Sequence, residues 1–174
     1  EAYLTHISTS PNYQILASLD AGRRQAEFEG FELTERAIEM AMSLRHQIVT
    51  HPLLKQYFHV LSINAIIPDE FRKFPKPDLL KEDLNWERQG NSWDKDEFAL
   101  DPTKVTLCVG KTGVDGTQFR NQYLMDQFGI QVNKTSPNTV LFMTNIGTTR
   151  SSVSYLLSVL LKIAEKLEHD SKSA

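Results

Sequence analysis

The chain has 174 residues, 40% of them hydrophobic and 24% charged, with a formal net charge of -3. That composition fits one folded soluble domain, or a domain with an attached segment, and argues against wholesale disorder. It carries no basic stripe able to neutralise a run of phosphates, so nucleic acid is not an expected partner. The single cysteine, Cys108, rules out an internal disulfide framework and fits a reducing, cytoplasmic setting. The longest apolar run, Tyr155 to Leu161, is broken by Ser158 and is too short to span a bilayer, so no membrane partner is expected. No signal peptide or initiator methionine opens the chain, and Glu1-Ala2-Tyr3 reads like the middle of an element; the expectation is a piece of something longer.

Ser10-Pro11 is a helix-start signal, with serine as cap and proline where no N–H is needed. Ile15, Leu16, Leu19 and Ala21 follow at helical spacing, which predicts a helix from about Pro11 to Phe28 with Gly30 as its stop. A second helix is predicted from near Glu32 to about Val49. Its stripe is Ala37, Ala41, Leu44 and Ile48, and Glu35, Glu39 and Arg45 face elsewhere. Phe58, Val60 and Leu61 suggest a short strand. From Pro68 to Asp101, prolines and charges interrupt every periodicity, predicting a long connection that Trp86, Trp93 and Phe98 pin to the core.

Val105, Leu107 and Val109 alternate with polar neighbours, as in a half-buried strand over Lys104 to Val109. Gly110 to Gly116 is a turn region, Thr117 a cap for a helix from Gln118 to Gln127, and Gly129 its end. Two further strands are predicted at Ile130 to Lys134 and Thr139 to Thr144, parted by the turn chemistry of Ser136-Pro137-Asn138. The last helix begins near Thr148 or Thr149. Val153, Leu156, Leu157, Leu160, Ala164 and Leu167 form its apolar face, and Asp170 to Ala174 should fray. The element order predicts an α/β fold, a small mixed or antiparallel sheet packed against helices mainly on one face.

Few residues here suggest chemistry. Gly110-Lys111-Thr112 follows a strand, but a phosphate-wrapping P-loop needs a glycine where Val105 stands, so the run reads as a turn. His6, His46, His51, His59 and His169 are scattered without metal-ligand spacing, and no metal site is expected. Cys108 lacks an evident base and reads as a packed thiol. The Ser8-Thr9-Ser10-Pro11 cluster differs: hydroxyls and N–H groups gather at a helix N-terminus, where the dipole favours an anion. Simple capping by Ser10 is the plainer reading, and the two roles are compatible.

The stretch Glu1 to Tyr13, followed by Ile15-Leu16-Ala17-Ser18-Leu19-Asp20, resembles the segment just after the cofactor-bearing lysine in bacterial ornithine, lysine and arginine decarboxylases. These are fold-type-I pyridoxal-phosphate enzymes. Asp101 to Leu107, Phe128-Gly129-Ile130 with Val132 and Lys134-Thr135, and Val140-Leu141-Phe142 with Ile146-Gly147 are similar to later strands and turns of that family. The family's Trp-His-Gly-Phe run stands here as Ser92-Trp93-Asp94-Lys95.

The resemblance implies that residues 1–29 end the large cofactor-binding domain and that residues 30–174 form a linking helix and a C-terminal small α/β domain. It implies that the Schiff-base lysine, the pyridine-binding aspartate and the stacking histidine lie upstream, so the chain itself carries no catalytic residue. It also implies that Thr9 and Ser10 contact the phosphate of pyridoxal 5'-phosphate across a dimer interface. The activity implied is decarboxylation of a basic amino acid, with the chain closing one side of the active site in a homodimer or higher homo-oligomer. Two other readings stay open: a stand-alone interaction module or inactive remnant, and an aminotransferase relative in which Arg150 would be the residue to inspect.

Overall fold

The computed structural model describes residues 12–61, 63–71 and 100–173. The chain divides into two compact units, Glu1–Glu35 and Arg36–Ala174. One helix, α1, runs over Tyr13–Thr50. Two helices with a stop at Gly30 were expected, yet Gly30 lies inside α1. A glycine costs a helix interior about 1 kcal/mol relative to alanine, and the strong helix formers on both sides outweigh that. The Thr34 hydroxyl donates to the Gly30 carbonyl at 2.7 Å.

In the first unit the described residues are all helical from Tyr13 onward. Tyr13, Ile15, Leu16, Leu19, Phe28 and Phe31 are each more than half exposed. Arg23 pairs with Asp20 at 3.1 Å and with Glu27 at 2.9 Å, surface pairs that contribute little each.

The second unit holds the core. The short helix Leu54–Tyr57 is α2, and Ile63–Ile66 is α3. The strands are β1, His59–Val60, β2, Lys104–Cys108, β3, Lys134–Thr135, and β4, Thr139–Met143. They form one sheet in the order β1-β2-β4-β3, antiparallel at every pairing. In the central pair Val105 lies opposite Phe142 and Leu107 opposite Val140. Val60, Val105, Leu107, Val140 and Phe142 point to one buried face. Thr106, Cys108 and Leu141 sit half-exposed on the other, as the period-two alternation predicts.

Two helices cover the buried face. The stripe Ala37, Ala41, Leu44 and Ile48 is at most 4% exposed. The closing helix α5, Arg150–Ser173, adds Val153, Leu157, Leu160 and Ala164 from the expected face, with Val159 and Ile163 beside them. Thr149 caps it, accepting from Ser152 N at 3.2 Å. The expected fraying at its end is not seen: α5 stays helical to Ser173, where Lys172 pairs with Glu168 one turn back at 2.8 Å.

Between β2 and β3 the predicted helix is present but differently built. A 3-10 turn at Gly110–Thr112 comes first. Then three consecutive pieces, Gly116–Gln118, Phe119–Met125 and Asp126–Phe128, together form α4, and the middle piece is π-helical. Phe119 and Leu124 are both fully buried. Five residues subtend about 140° on an α-helix, so the wider π turn is what brings both side chains to one face. The cap is Asp115 rather than Thr117, its carboxylate accepting from Thr117 N at 2.8 Å and Gln118 N at 2.9 Å. The strand expected at Ile130 to Lys134 shrinks to Lys134–Thr135. Ile130 N instead donates to Leu124 O and, with Gly129 at φ 66°, closes α4.

Candidate functional site

The expected cofactor contacts, Thr9 and Ser10, lie outside the described residues, as do Trp86, Trp93 and Phe98. What is described begins at Asn12. Its side-chain carbonyl accepts from Gln14 N at 3.0 Å and Ile15 N at 3.2 Å, so Asn12 is the cap of α1. The helix begins at Tyr13, later than the Pro11 start read from the sequence.

The most distinctive polar centre lies where the chain returns at Leu100 and enters β2. Arg45, placed off the apolar stripe and assumed to face elsewhere, is 1% exposed. Its Nη1 donates to the Pro102 carbonyl at 2.5 Å and its Nη2 to the Lys104 carbonyl at 2.6 Å. Burial pulls its pKa down to about 10, and the Asp101 carboxylate acts in the opposite direction. The Asp101 carboxyl is itself held below its usual value. Burial acts upward on it, but hydrogen bonds from Lys104 Nζ at 2.7 Å, Thr103 Oγ1 at 2.7 Å and Thr103 N at 2.9 Å outweigh that.

Thr144 completes the centre from the position just after β4. Its hydroxyl donates to the Ala37 carbonyl at 2.8 Å, and its N–H donates to Thr103 O at 3.0 Å. Arg45 and Thr144 thus tie α1 to both central strands. A guanidinium spent on main-chain carbonyls is a staple, not an anion receptor. Its charge gave no periodic signal in the sequence.

The remaining sequence candidates take no part in the hydrogen bonds of this centre, and among them His59 of β1 lies opposite Cys108 of β2. Thr112, in the Gly110–Thr112 turn, is buried and its hydroxyl donates to Val109 O at 2.7 Å, so it is committed within the turn. His59 is exposed on β1, and His46 and His51 are half-buried on and after α1. Among the described residues no three His, Cys, Asp or Glu side chains are grouped to hold a metal. Among the described residues, too, no helix is long and apolar enough to cross a membrane.

Two open clefts flank the start of α5. One, of about 460 Å³, brings Arg150 and Glu39 to its rim with Met42 and Val153. The other, of about 560 Å³, lies between Ile130–Asn133, β4 and α5 and presents the hydroxyls of Thr148 and Ser152 over Phe142 and Leu156. Arg150 is exposed, as expected of an arginine at a helix start. The clefts offer polar positioning groups without a convergent acid and base.

Comparison with known proteins places this architecture. The chain is 32% identical over 171 residues to the inducible lysine decarboxylase of Escherichia coli K12, covering 92% of this chain and 23% of that protein. It is 30% identical over 176 residues to the lysine decarboxylase of Hafnia alvei, covering 92% and 22%. It is 27% identical over 157 residues to an arginine decarboxylase of Bacillus cereus, covering 90% and 27%. The chain therefore spans about a quarter of the length of these curated relatives. Among solved structures, the lysine decarboxylase of Francisella novicida superposes with a TM-score of 0.65 at 23% identity, covering 97% of this chain and 24% of that one. The constitutive lysine decarboxylase of E. coli gives 0.62 at 21%, covering 94% and 24%. At those identities the likeness speaks for the fold. A family model described as Orn/Lys/Arg decarboxylase, major domain, matches residues 1–152, and the chain belongs to the Orn/Lys/Arg decarboxylase family.

Proposed function

We propose that this chain is the C-terminal-side portion of a pyridoxal-phosphate-dependent decarboxylase acting on arginine, lysine or ornithine. Residues 1–29 end the large cofactor-binding domain, and residues 30–174 form the linking helix and the small α/β domain that closes one side of the active site in a cytoplasmic homodimer or larger homo-oligomer. The observation that carries the decarboxylase reading is the family match over residues 1–152, which is to the family's major domain; the division at residue 29 rests on the resemblance alone. The antiparallel sheet with helices on one face supports it, as does the likeness in fold to lysine decarboxylases.

Thr9 and Ser10 are the residues we assign to the cofactor phosphate. The donor set fits chemically: two hydroxyls precede the Asn12-capped start of a 38-residue helix, whose dipole favours an anion. Bound, the cofactor supplies the electron sink for the bond broken at the substrate's α-carbon. The chain's own share is positioning. The hydroxyls orient the phosphate, and the sheet, held to α1 through Arg45 and Thr144, gives the small domain a rigid frame.

The test uses the longer protein that carries this chain. It should show the visible absorbance of bound cofactor and release carbon dioxide from at least one of lysine, arginine and ornithine. Ser10→Ala should weaken cofactor retention by about 1–3 kcal/mol, the worth of a lost charge-assisted hydrogen bond. Unchanged cofactor affinity in a folded Ser10→Ala protein counts against the phosphate role, and no activity on any of the three substrates counts against the decarboxylase.

A further inference from the structure

The start of α4 joins two residues that can react with each other. Asp115 is followed by Gly116, and no other aspartate or asparagine of the chain precedes a glycine. Glycine has no side chain to shield its nitrogen and turns freely about its backbone bonds, so that nitrogen can attack Cγ of the preceding aspartate. The Gly116 N–H proton and the carboxyl hydroxyl leave as water, and a five-membered succinimide closes. Water then opens the ring. Attack at the Asp115 main-chain carbonyl carbon leaves isoaspartate, in which the main chain runs through Cβ and Cγ and is one carbon longer. One water is lost and one regained, with no change in oxidation state.

The fold requires this dipeptide. Asp115 is the cap of α4, its Oδ1 accepting from Thr117 N at 2.8 Å and Gln118 N at 2.9 Å. Gly116 is buried where a Cβ would collide with the Ser136 and Thr139 carbonyls. The same contacts hold the pair unreactive. The Gly116 N–H donates to the Pro137 carbonyl at 3.0 Å, which retains the proton that must leave. Ring closure also needs Cβ and the Gly116 nitrogen eclipsed about the Asp115 Cα–C bond. At ψ 163° they stand roughly 80° apart.

We propose that Asp115–Gly116 is a latent self-modification site, latched by the start of α4 and the β3–β4 turn while the domain is folded, and converted to isoaspartate when that turn opens. The conversion is one-way for the fold. An extra main-chain carbon must fit where a Cβ does not, so the product cannot restore both the cap and the bond from Gly116 to Pro137. Every contact of the latch lies within residues 115–139, so it does not depend on what the longer protein packs against this domain. The rate of conversion follows the population of the opened state.

The test ages the longer protein that carries this chain at neutral pH, in buffer and in urea that unfolds it. Peptide mapping reads position 115, because an aspartate-specific endoproteinase does not cut before isoaspartate. Neither substrate nor activity enters. In the unfolded protein Asp115 should convert faster than any other aspartate of the chain. In the folded protein it should convert about tenfold or more slowly than that. Asp115→Asn keeps a capping oxygen and closes the same ring with loss of ammonia, so it should give the same ratio as a change in mass. Protein aged in urea is then brought to the unfolding midpoint, where both states are populated, and the two are separated by size. The folded fraction should carry about tenfold less isoaspartate than the unfolded one. Equal conversion in folded and unfolded protein overturns the proposal. So does an unfolded chain in which Asp115 converts no faster than the other aspartates, or isoaspartate shared evenly between the two fractions.

Discussion

Replacing Arg45 by methionine sets two sizeable effects against each other. Methionine keeps much of the side-chain bulk and removes the charge. In the native protein burial lowers the guanidinium pKa to about 10, which corresponds to roughly 3 kcal/mol of penalty on the charged form. Against it stand two charge-assisted hydrogen bonds, to the Pro102 and Lys104 carbonyls, each contributing about 1.5–3 kcal/mol. The hydrogen bonds should win by a small margin, and Arg45→Met also leaves both carbonyls without their donor. We expect Arg45→Met to destabilise the domain by about 2 kcal/mol, lowering the thermal midpoint by about 4–8 °C. Arg45→Ala, which adds a cavity, should cost about 4 kcal/mol. Urea unfolding at neutral pH, followed by circular dichroism, measures both. An Arg45→Met protein as stable as the parent, or more so, would show that desolvation outweighs the staple, as happens with some buried ion pairs, and the reasoning would be wrong.

Three other outcomes follow from the same geometry. Gly116→Ala should destabilise by about 2–4 kcal/mol in urea unfolding, because its Cβ would collide with the main-chain carbonyls of Ser136 and Thr139, which cannot swing aside like a side chain. Thr144→Val, similar in size, should cost about 1–2 kcal/mol by the same measurement through loss of the 2.8 Å bond to the Ala37 carbonyl. The Asp101 carboxyl titrates lower in the folded state than in the unfolded one, so its contribution is complete above the ordinary carboxylate pKa and is lost as pH falls through the lower folded value. Asp101→Asn should therefore flatten the acid limb of a stability–pH curve below about pH 4, where carboxylates ordinarily take up protons, and leave its slope near neutrality unchanged.

Some of the structure was legible because its cause is local. The alternation of Val105, Leu107 and Val109, and the stripe Ala37, Ala41, Leu44 and Ile48, declare which face is buried within a window of a dozen residues. The positions of β1, β2 and β4 and the last helix followed from such windows, and the family resemblance rested on short runs of the same kind. Local signals misled where a neighbour offered an equivalent service. Gly30 carries a stop signal that strong helix formers overrode, and Asp115 took the capping role that Thr117 also suits. Of the candidate site, Thr9 and Ser10 were named on resemblance and helix-dipole chemistry, and they lie outside the described residues.

What the sequence alone determined is therefore the buried faces of the long helices, the sidedness of the sheet and the kinship with basic amino-acid decarboxylases, since each is written in residues close together along the chain. Tertiary structure alone decided the strand order β1-β2-β4-β3, the burial of Arg45 and the need for glycine at Gly116. The physical reason is distance along the chain. Arg45 finds its acceptors 57 and 59 residues away, and Thr144 meets Ala37 across 107. No local periodicity encodes a partner that only folding brings within 3 Å.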